Sequence, residues 1–200
     1  MLIRWLLLYV LLFVPTAWAG PTILVFGDSL SANYGLAVES GWASLLQQRL
    51  KQNHYAYQVI NASISGETTA GGLSRIDSAL AAHQPAIVIV ELGANDGLRG
   101  LSLQATRDNL DAMIRACRAS KAKVLLVGMR LPPNYGAEYS ERFGMIYPAL
   151  AKKHHTALLP FLLEGMADKR EWFQADNLHP TAAAQTAVLE NVWKHLKPML

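Results

Sequence analysis

The sequence predicts an α/β protein in which a parallel β-sheet carries helices on both faces. Short apolar runs rich in β-branched residues alternate with longer segments of helical period along most of the 200 residues. Each short run is apolar enough to be covered on both sides, as the inner strands of a parallel sheet are. Regular strand–helix alternation implies right-handed crossovers, and such crossovers make successive strands parallel.

Five strands and five helices follow from these patterns. The strands are expected at residues 22–26, 57–60, 87–91, 124–128 and 157–159. The helices are expected at residues 42–51, 72–82, 103–119, 138–154 and 181–196. Because no linker, repeat or low-complexity tract interrupts the alternation, residues 20–200 are predicted to form a single domain.

Residues 1–19 differ in composition from the rest of the chain and have the pattern of a secretory signal peptide. Arg4 is their only charged residue, an apolar run extends from Leu6 to Val14, and the small residue Ala19 fits a cleavage site. The run has about half of the roughly 20 residues that a membrane-spanning helix needs. We therefore expect cleavage after Ala19, a periplasmic or secreted protein, and no stable membrane span after cleavage. A retained N-terminal anchor is the alternative.

The overall composition excludes several classes of protein. Hydrophobic residues make up 52% of the chain and charged residues 16%, so the chain buries enough surface to fold. Its 18 basic and 15 acidic residues form no basic run, which argues against a nucleic-acid partner. Cys117, the only cysteine, lies in an apolar helical segment and is expected to be buried without a catalytic role. Nothing indicates a required oligomer, and we expect a monomer.

Polar loops that follow strands are the places to look for chemistry, since ligands bind at the carboxyl ends of strands in open α/β sheets. Ser29 lies just after the first strand, and Gly27 before it permits a sharp turn that exposes the hydroxyl. Ser31 stands where the second glycine of a Gly-x-Ser-x-Gly elbow would be, which disfavours an α/β-hydrolase proper. The alternative is that Ser29 and its neighbours only cap a helix.

A serine nucleophile needs a base and a group that orients the base. Asp176 and His179 stand three residues apart between the last strand and the last helix, a spacing that allows a direct bond within one turn. Asp176 could instead be only an N-cap. The other five histidines, at positions 54, 83, 154, 155 and 195, lie near helix ends or in a turn and are expected at the solvated surface. No Cys or carboxylate cluster accompanies them, so we predict no metal, and the chemistry needs no cofactor.

Acyl transfer also needs hydrogen-bond donors for the oxyanion of the transition state. The backbone N–H groups of Ser29 and Gly66 and the side-chain amide of Asn95 are candidates, because all three follow predicted strands. For Asn95 the alternative is an ordinary turn-forming asparagine.

Taken together, these segments resemble the SGNH (GDSL) hydrolase family, and in particular its bacterial thioesterase I/lysophospholipase L1 branch. The four blocks arrive in the family's order: residues 27–31 with Ser29, residues 61–68 with Gly66, residues 93–96 with Asn95, and Asp176 with His179. The likeness extends over nearly the whole chain after residue 19. It includes residues 90–93 and 130–136, which general members of the family need not share.

The resemblance implies a flavodoxin-like three-layer α/β/α sandwich with a parallel five-stranded sheet. It implies a triad and an oxyanion hole made of the residues proposed above, and hydrolysis of acyl esters, thioesters and lysophospholipids. A groove for the acyl chain is expected beside the loops 97–101 and 131–136. Asn33 departs from the smaller residue that relatives often carry near the nucleophile turn, and this bears on substrate preference.

Apolar loop residues would line that groove, namely Leu30, Leu36, Leu98, Leu101, Leu131 and Pro132. The alternative for them is ordinary loop packing. Two other functions stay open from the sequence: a small-acyl carbohydrate O-deacetylase or arylesterase of the same fold, and a non-enzymatic flavodoxin-like binding module. The binding module leaves Asp176 and His179 unexplained, and no phosphate-binding glycine pattern follows the first strand. Peptide-bond hydrolysis is expected to be minor.

Overall fold

The computed structural model describes residues 20–200. Their strands are Thr22–Gly27 (β1), Gln58–Asn61 (β2), Ile87–Glu91 (β3), Lys123–Val127 (β4) and Ala157–Leu159 (β5). Their helices are Trp42–Gln52 (α1), Thr69–His83 (α2), Ala94–Leu98 (α3), Leu103–Ala119 (α4), Ala137–His154 (α5) and Gln185–Leu196 (α6). The signal peptide predicted at residues 1–19 lies outside the described residues.

The five strands form one sheet in the order β2-β1-β3-β4-β5, and every neighbouring pair is parallel. Helix α1 packs against α6, while α2 packs against α4 and α4 against α5. The first pair is linked by the backbone N–H of Trp42, which donates to Oε1 of Gln185 at 3.0 Å. This strand order is the flavodoxin-like, doubly wound arrangement, and the predicted fold class is confirmed.

The core is centred on β1 and β3, two of the three strands that have neighbours on both edges. Ile23–Phe26 and Ile87–Val90 are without solvent exposure. Burying each large aliphatic or aromatic side chain contributes roughly 1.5–3 kcal/mol, so these two strands hold the sheet together. Because the strands are parallel, their carboxyl ends meet at one edge.

Most predicted bounds hold to within four residues, but one helix is missing from the prediction. Helix α3 has only five residues, too few to produce a periodic pattern. It begins after Gly93, whose φ of 112° lies in the left-handed region. Helix α2 starts earlier than predicted because the hydroxyl of Thr68 caps it by accepting from the N–H of Gly71.

The expectation that His154 lies at a solvated surface is wrong. Its side chain is 7% exposed, and Nε2 lies 2.7 Å from Oδ1 of Asp111 on α4. Asp111 also accepts from Nζ of Lys153 at 2.6 Å and Nε of Arg115 at 3.0 Å. Burial acts to raise the pKa of Asp111, but these bonds hold it well below its usual range. The cluster joins α4 to α5.

The predicted burial of Cys117 is confirmed, since the thiol lies in α4 and has no solvent exposure. Burial raises the pKa of this thiol to about 12, so it is protonated and unreactive at neutral pH. Of the helices between residues 20 and 200, none combines the length and apolar character needed to cross a membrane.

Candidate active site

Ser29, His179 and Asp176 form a chain of hydrogen bonds at the carboxyl edge of the sheet. Nε2 of His179 lies 2.8 Å from Oγ of Ser29, and Nδ1 lies 2.7 Å from Oδ2 of Asp176. The structure therefore brings together the three residues that the sequence singled out. In this geometry the imidazole can take a proton from the hydroxyl while the carboxylate fixes its tautomer.

Ser29 is presented by a tight turn that follows β1. The carbonyl of Asp28 accepts from the N–H groups of Ser31 and Ala32, at 3.2 and 2.8 Å. One carboxylate oxygen of Asp28 accepts from the N–H of Leu30 at 3.0 Å. The hydroxyl is consequently carried on a backbone that has little freedom to move.

Asp176 organises the loop between β5 and α6 as well as the imidazole. Its Oδ1 accepts from the N–H groups of Leu178 and His179, at 2.9 and 3.0 Å, so it closes a turn and does not cap α6. Partial desolvation acts to raise the pKa of Asp176, but the two backbone bonds and the imidazole lower it to about 2. The carboxylate is therefore ionised throughout the neutral range.

The three predicted oxyanion donors differ in availability. The N–H groups of Ser29 and Gly66 donate to no other described residue. Gly66 has a φ of 77°, a backbone conformation that other residues adopt only with strain, and this conformation sets the direction of its N–H. Nδ2 of Asn95, by contrast, already donates to Oδ2 of Asp28 and to the carbonyl of Glu67, both at 3.0 Å. Asn95 is thus held between the two loops that carry the other donors.

Asp96 fixes the position of Asn95. Its carboxylate is buried and accepts from the N–H of Thr69 at 2.8 Å, at the first turn of α2. The same carboxylate accepts from the hydroxyl of Thr69. The loop after β3 is therefore attached to the segment that follows Gly66.

A buried pair of carboxyl groups lies beneath the nucleophile turn, and the sequence analysis missed it. Oε2 of Glu91 accepts from the hydroxyl of Ser31 at 2.8 Å and from the N–H of Asp28 at 3.3 Å. Glu91 is without solvent exposure, and its Oε1 has no partner among the described residues. The sequence did contain an indication of this pair: Glu91 ends a strand that is otherwise apolar. Burying an unpaired charge is costly, so such a residue is expected to have hydrogen-bond partners or to be protonated.

Burial determines the ionisation of this pair. It raises the pKa of Asp28 to about 6, partly opposed by the N–H of Leu30, the imidazole of His179 and the amide of Asn95. Burial, together with the neighbouring carboxylate of Asp28, raises the pKa of Glu91 well above its ordinary value. Both carboxyl groups therefore hold a proton to higher pH than an exposed carboxyl group does.

A cavity of about 810 Å³ opens beside Ser29 and His179. Leu30, Leu98, Leu131 and Pro132, all predicted to contact substrate, line it. Leu36 and Leu101 do not. Further apolar wall that the sequence analysis did not assign comes from the start of the loop after β4 and from the loop after β5: Met129, Phe161, Leu163, Ala167, Phe173 and Leu178. The cavity is therefore mainly apolar, and Ser29, Asn95 and His179 are among the polar residues that line it.

No group of three or more His, Cys, Asp or Glu side chains in the described part of the chain is arranged to hold a metal ion. A hydroxyl, an imidazole and an ionised carboxylate bonded in series, above a doubly wound sheet and beside an apolar cavity, define a serine hydrolase.

The chain belongs to the GDSL-like lipase/acylhydrolase family, whose sequence pattern matches residues 25–187. It is 52% identical over 182 residues to the esterase TesA of Pseudomonas aeruginosa, covering 91% of this chain and 90% of the relative. It is 42% identical over 199 residues to thioesterase 1/protease 1/lysophospholipase L1 of Escherichia coli, covering 98% and 94%. The resemblance drawn from the four sequence blocks is confirmed.

A solved structure gives the same result for the fold. The psychrotrophic esterase EstA of Pseudoalteromonas, in a form inhibited by monoethylphosphonate, superposes with a TM-score of 0.85 at 39% identity. The match covers 88% of this chain and 97% of that one. The chain is an enzyme of this serine hydrolase family.

The buried carboxyl pair makes the stability of the protein depend on pH. Because the pKa of Glu91 is raised in the folded chain, the folded chain keeps this proton to higher pH than the unfolded chain, which releases it above about pH 4.3, so the free energy of unfolding falls as pH rises. Glu91→Gln keeps an acceptor for Asp28 and Ser31 but cannot ionise. We expect the free energy of unfolding of this variant to fall less steeply than that of the parent between pH 5 and pH 8. The two slopes should differ by up to about 1.4 kcal/mol per pH unit.

Urea titrations at several pH values measure this difference. Glu138→Gln, at an exposed position on α5, is the matched control and should follow the parent. Equal pH slopes for the parent and Glu91→Gln would mean that Glu91 is ionised in the folded protein.

Proposed function

We propose that this protein is an exported serine esterase that hydrolyses acyl esters and thioesters, lysophospholipids among them, through an acyl-enzyme intermediate. One observation carries the proposal: the Ser29–His179–Asp176 chain of hydrogen bonds opens directly onto an apolar cavity of about 810 Å³. The hydroxyl supplies the nucleophile and the cavity receives the acyl chain.

In the first half of the reaction, Oγ of Ser29 attacks the acyl carbonyl while its proton passes to Nε2 of His179. The ionised carboxylate of Asp176 keeps the proton on Nδ1 and stabilises the imidazolium. His179 then gives the proton to the leaving oxygen or sulfur, and the acyl group stays on Ser29. In the second half, water loses a proton to His179 and attacks the acyl-enzyme, after which the proton returns to Oγ of Ser29.

The N–H groups of Ser29 and Gly66 are the primary donors to the oxyanion in this mechanism, because neither has another partner among the described residues. Asn95 joins them by turning one N–H away from Asp28 or Glu67. Protonation of Asp28 would weaken its hold on Asn95, so the availability of this third donor is linked to a carboxyl with a pKa of about 6.

The substrate class rests on the cavity and on the relatives. An apolar cavity of about 810 Å³ has room for a fatty acyl chain. The proposed contacts to that chain are Leu30, Leu98, Leu131 and Pro132. The names of the relatives describe an esterase and a thioesterase/protease/lysophospholipase. The inhibition of the Pseudoalteromonas esterase by a phosphonate agrees with a nucleophilic serine in this fold.

The location and partners are also proposals. The charge and apolar pattern of residues 1–19 supports export to the periplasm or the exterior through a cleaved signal peptide. We propose that the mature enzyme acts as a monomer, without a membrane span and without nucleic acid.

The triad assignment predicts a graded loss of activity. Ser29→Ala removes the nucleophile and should lower kcat for ester hydrolysis by about 10⁴-fold or more. Asp176→Asn keeps the geometry but compromises the tautomer of the imidazole, and should lower kcat by about 10²- to 10⁴-fold. Steady-state rates with p-nitrophenyl butyrate measure both, with Ser74→Ala on α2 as the control. Activity of Ser29→Ala within a few-fold of the parent would refute the assignment.

The groove predicts a preference for longer acyl chains. Rates with p-nitrophenyl esters from acetyl to hexadecanoyl should reach a maximum at medium or long chains. Leu98→Trp narrows the cavity and should selectively lower the rates with long chains. Leu101→Trp, in the same connection but off the cavity wall, is the matched control. Activity confined to acetyl esters would favour the small-acyl O-deacetylase or arylesterase.

Export predicts the mass of the mature enzyme. Expressed in a bacterial host, the full chain should yield a periplasmic or secreted product whose intact mass begins at Gly20. Ala19→Arg removes the small residue from the cleavage site and should accumulate precursor. A product that retains Met1 in the membrane fraction would support the N-terminal anchor instead.

A further inference from the structure

The ring of Tyr34 lies against the imidazole of His179, although neither the family blocks nor the mechanism assigns it a role. The two ring centroids are 4.2 Å apart and the planes are tilted by 32°. Tyr34 is 49% exposed, and its hydroxyl has no hydrogen-bond partner among the described residues. An offset stack of this kind is held by the face of the ring and not by the hydroxyl.

The backbone of Tyr34 connects the two halves of the triad. Its N–H donates to the carbonyl of Ser29 at 3.3 Å, and its carbonyl accepts from Nε2 of Gln174 at 2.9 Å. Gln174 in turn donates to the carbonyl of Pro180 at 3.1 Å and, through its own N–H, to the carbonyl of His179 at 2.8 Å. The nucleophile turn and the loop of the base are therefore joined at Tyr34.

The chain around Tyr34 is shaped to make this contact. Asn33 and Gly35 both have positive φ values, 60° and 70°, and so reverse the chain on either side of the ring. A Cβ at position 35 would lie 2.4 Å from Oε1 of Gln174, so the approach of the two loops requires glycine there. A ring presented at such a turn is held in position despite its exposure.

We propose that Tyr34 is a positioning residue for His179. It fixes the plane of the imidazole between Ser29 and Asp176, and its π face stabilises the imidazolium that forms when His179 takes the proton of Ser29. Tyr34 itself exchanges no proton: the proton moves from Oγ of Ser29 to Nε2 and then to the leaving group. The inference rests on the proposed triad.

The physical basis is the attraction between a cation and the negative face of an aromatic ring. Three other groups act on the same imidazole: the carboxylate of Asp176, the hydroxyl of Ser29, and the carboxyl of Asp28 beneath the turn. Arg130 and Asp168 line the same cavity. Removal of the ring leaves all these groups in place, so its effect can be separated from theirs.

The test is the pH dependence of kcat/KM for a p-nitrophenyl ester with Tyr34→Leu and Tyr34→Phe. Tyr34→Leu should lower kcat/KM by about ten- to a hundredfold through misplacement of the base. It should also move the midpoint of the acidic limb to lower pH, by about 0.4 to 0.7 units, because the imidazolium loses its aromatic neighbour. Tyr34→Phe keeps the ring and should restore the midpoint and most of the activity.

Two controls make the outcomes distinct. Tyr55→Leu removes an aromatic ring that packs on Trp193, away from the site, and should leave the pH profile unchanged. Thermal unfolding confirms that each variant is folded. An unchanged midpoint for Tyr34→Leu, with or without lower activity, overturns the inference, as does an equal loss in Tyr34→Phe. Retained activity of Ser29→Ala in the same assay would instead refute the triad itself.

Discussion

The position of β1 between β2 and β3 is the constraint on which the site depends. Neighbouring strands lie about 4.8 Å apart, and the order β2-β1-β3 puts three carboxyl ends side by side. The loop after β2 carries Gly66, the loop after β1 carries Ser29, and the helix after β3 carries Asn95. The groups proposed to surround the oxyanion therefore follow the order of the strands. Exchanging two strands would separate these groups without changing any local sequence.

Because β1 and β3 are neighbours, the carboxyl groups of Asp28 and Glu91 at their ends lie close together below the nucleophile. Asp28 and Glu91 are buried with no basic side chain bonded to them, an arrangement that opposes folding. Each nevertheless accepts hydrogen bonds: Asp28 from the N–H of Leu30 and the side chain of Asn95, and Glu91 from the hydroxyl of Ser31 and the N–H of Asp28. Apolar residues of the same size would leave these donors unsatisfied. Rigidity at Ser29 is therefore obtained at the expense of stability.

Local pattern was enough to predict the five strands, the five longer helices and the three hydrogen-bonded residues proposed as the triad. The period of the apolar residues distinguishes strands from helices, and parallel strands bring the loops that follow them to one edge of the sheet. Two contacts could not be predicted. One is the pairing of Asp111 with His154, and the other is the hydrogen bonding of Glu91 to the turn that carries Ser29. Each joins residues 43 to 63 positions apart, and no sequence period encodes such a distance. Of the cavity wall, Leu131 and Pro132 after β4 were predicted, but Met129 and the wall after β5 were missed, because loops have no periodicity.

The hydrogen bond from Ser29 to His179 joins residues 150 positions apart. The proposed nucleophile leaves the ribosome early in synthesis, with its strand, whereas its base emerges with the last segment of the chain. Docking of α6 against α1, through Gln185 and Trp42, spans a similar separation. A nascent chain therefore carries a hydroxyl without its base until the last eighth of the chain has folded back. The proposed hydrolytic competence and the completion of the fold are therefore reached in a single event.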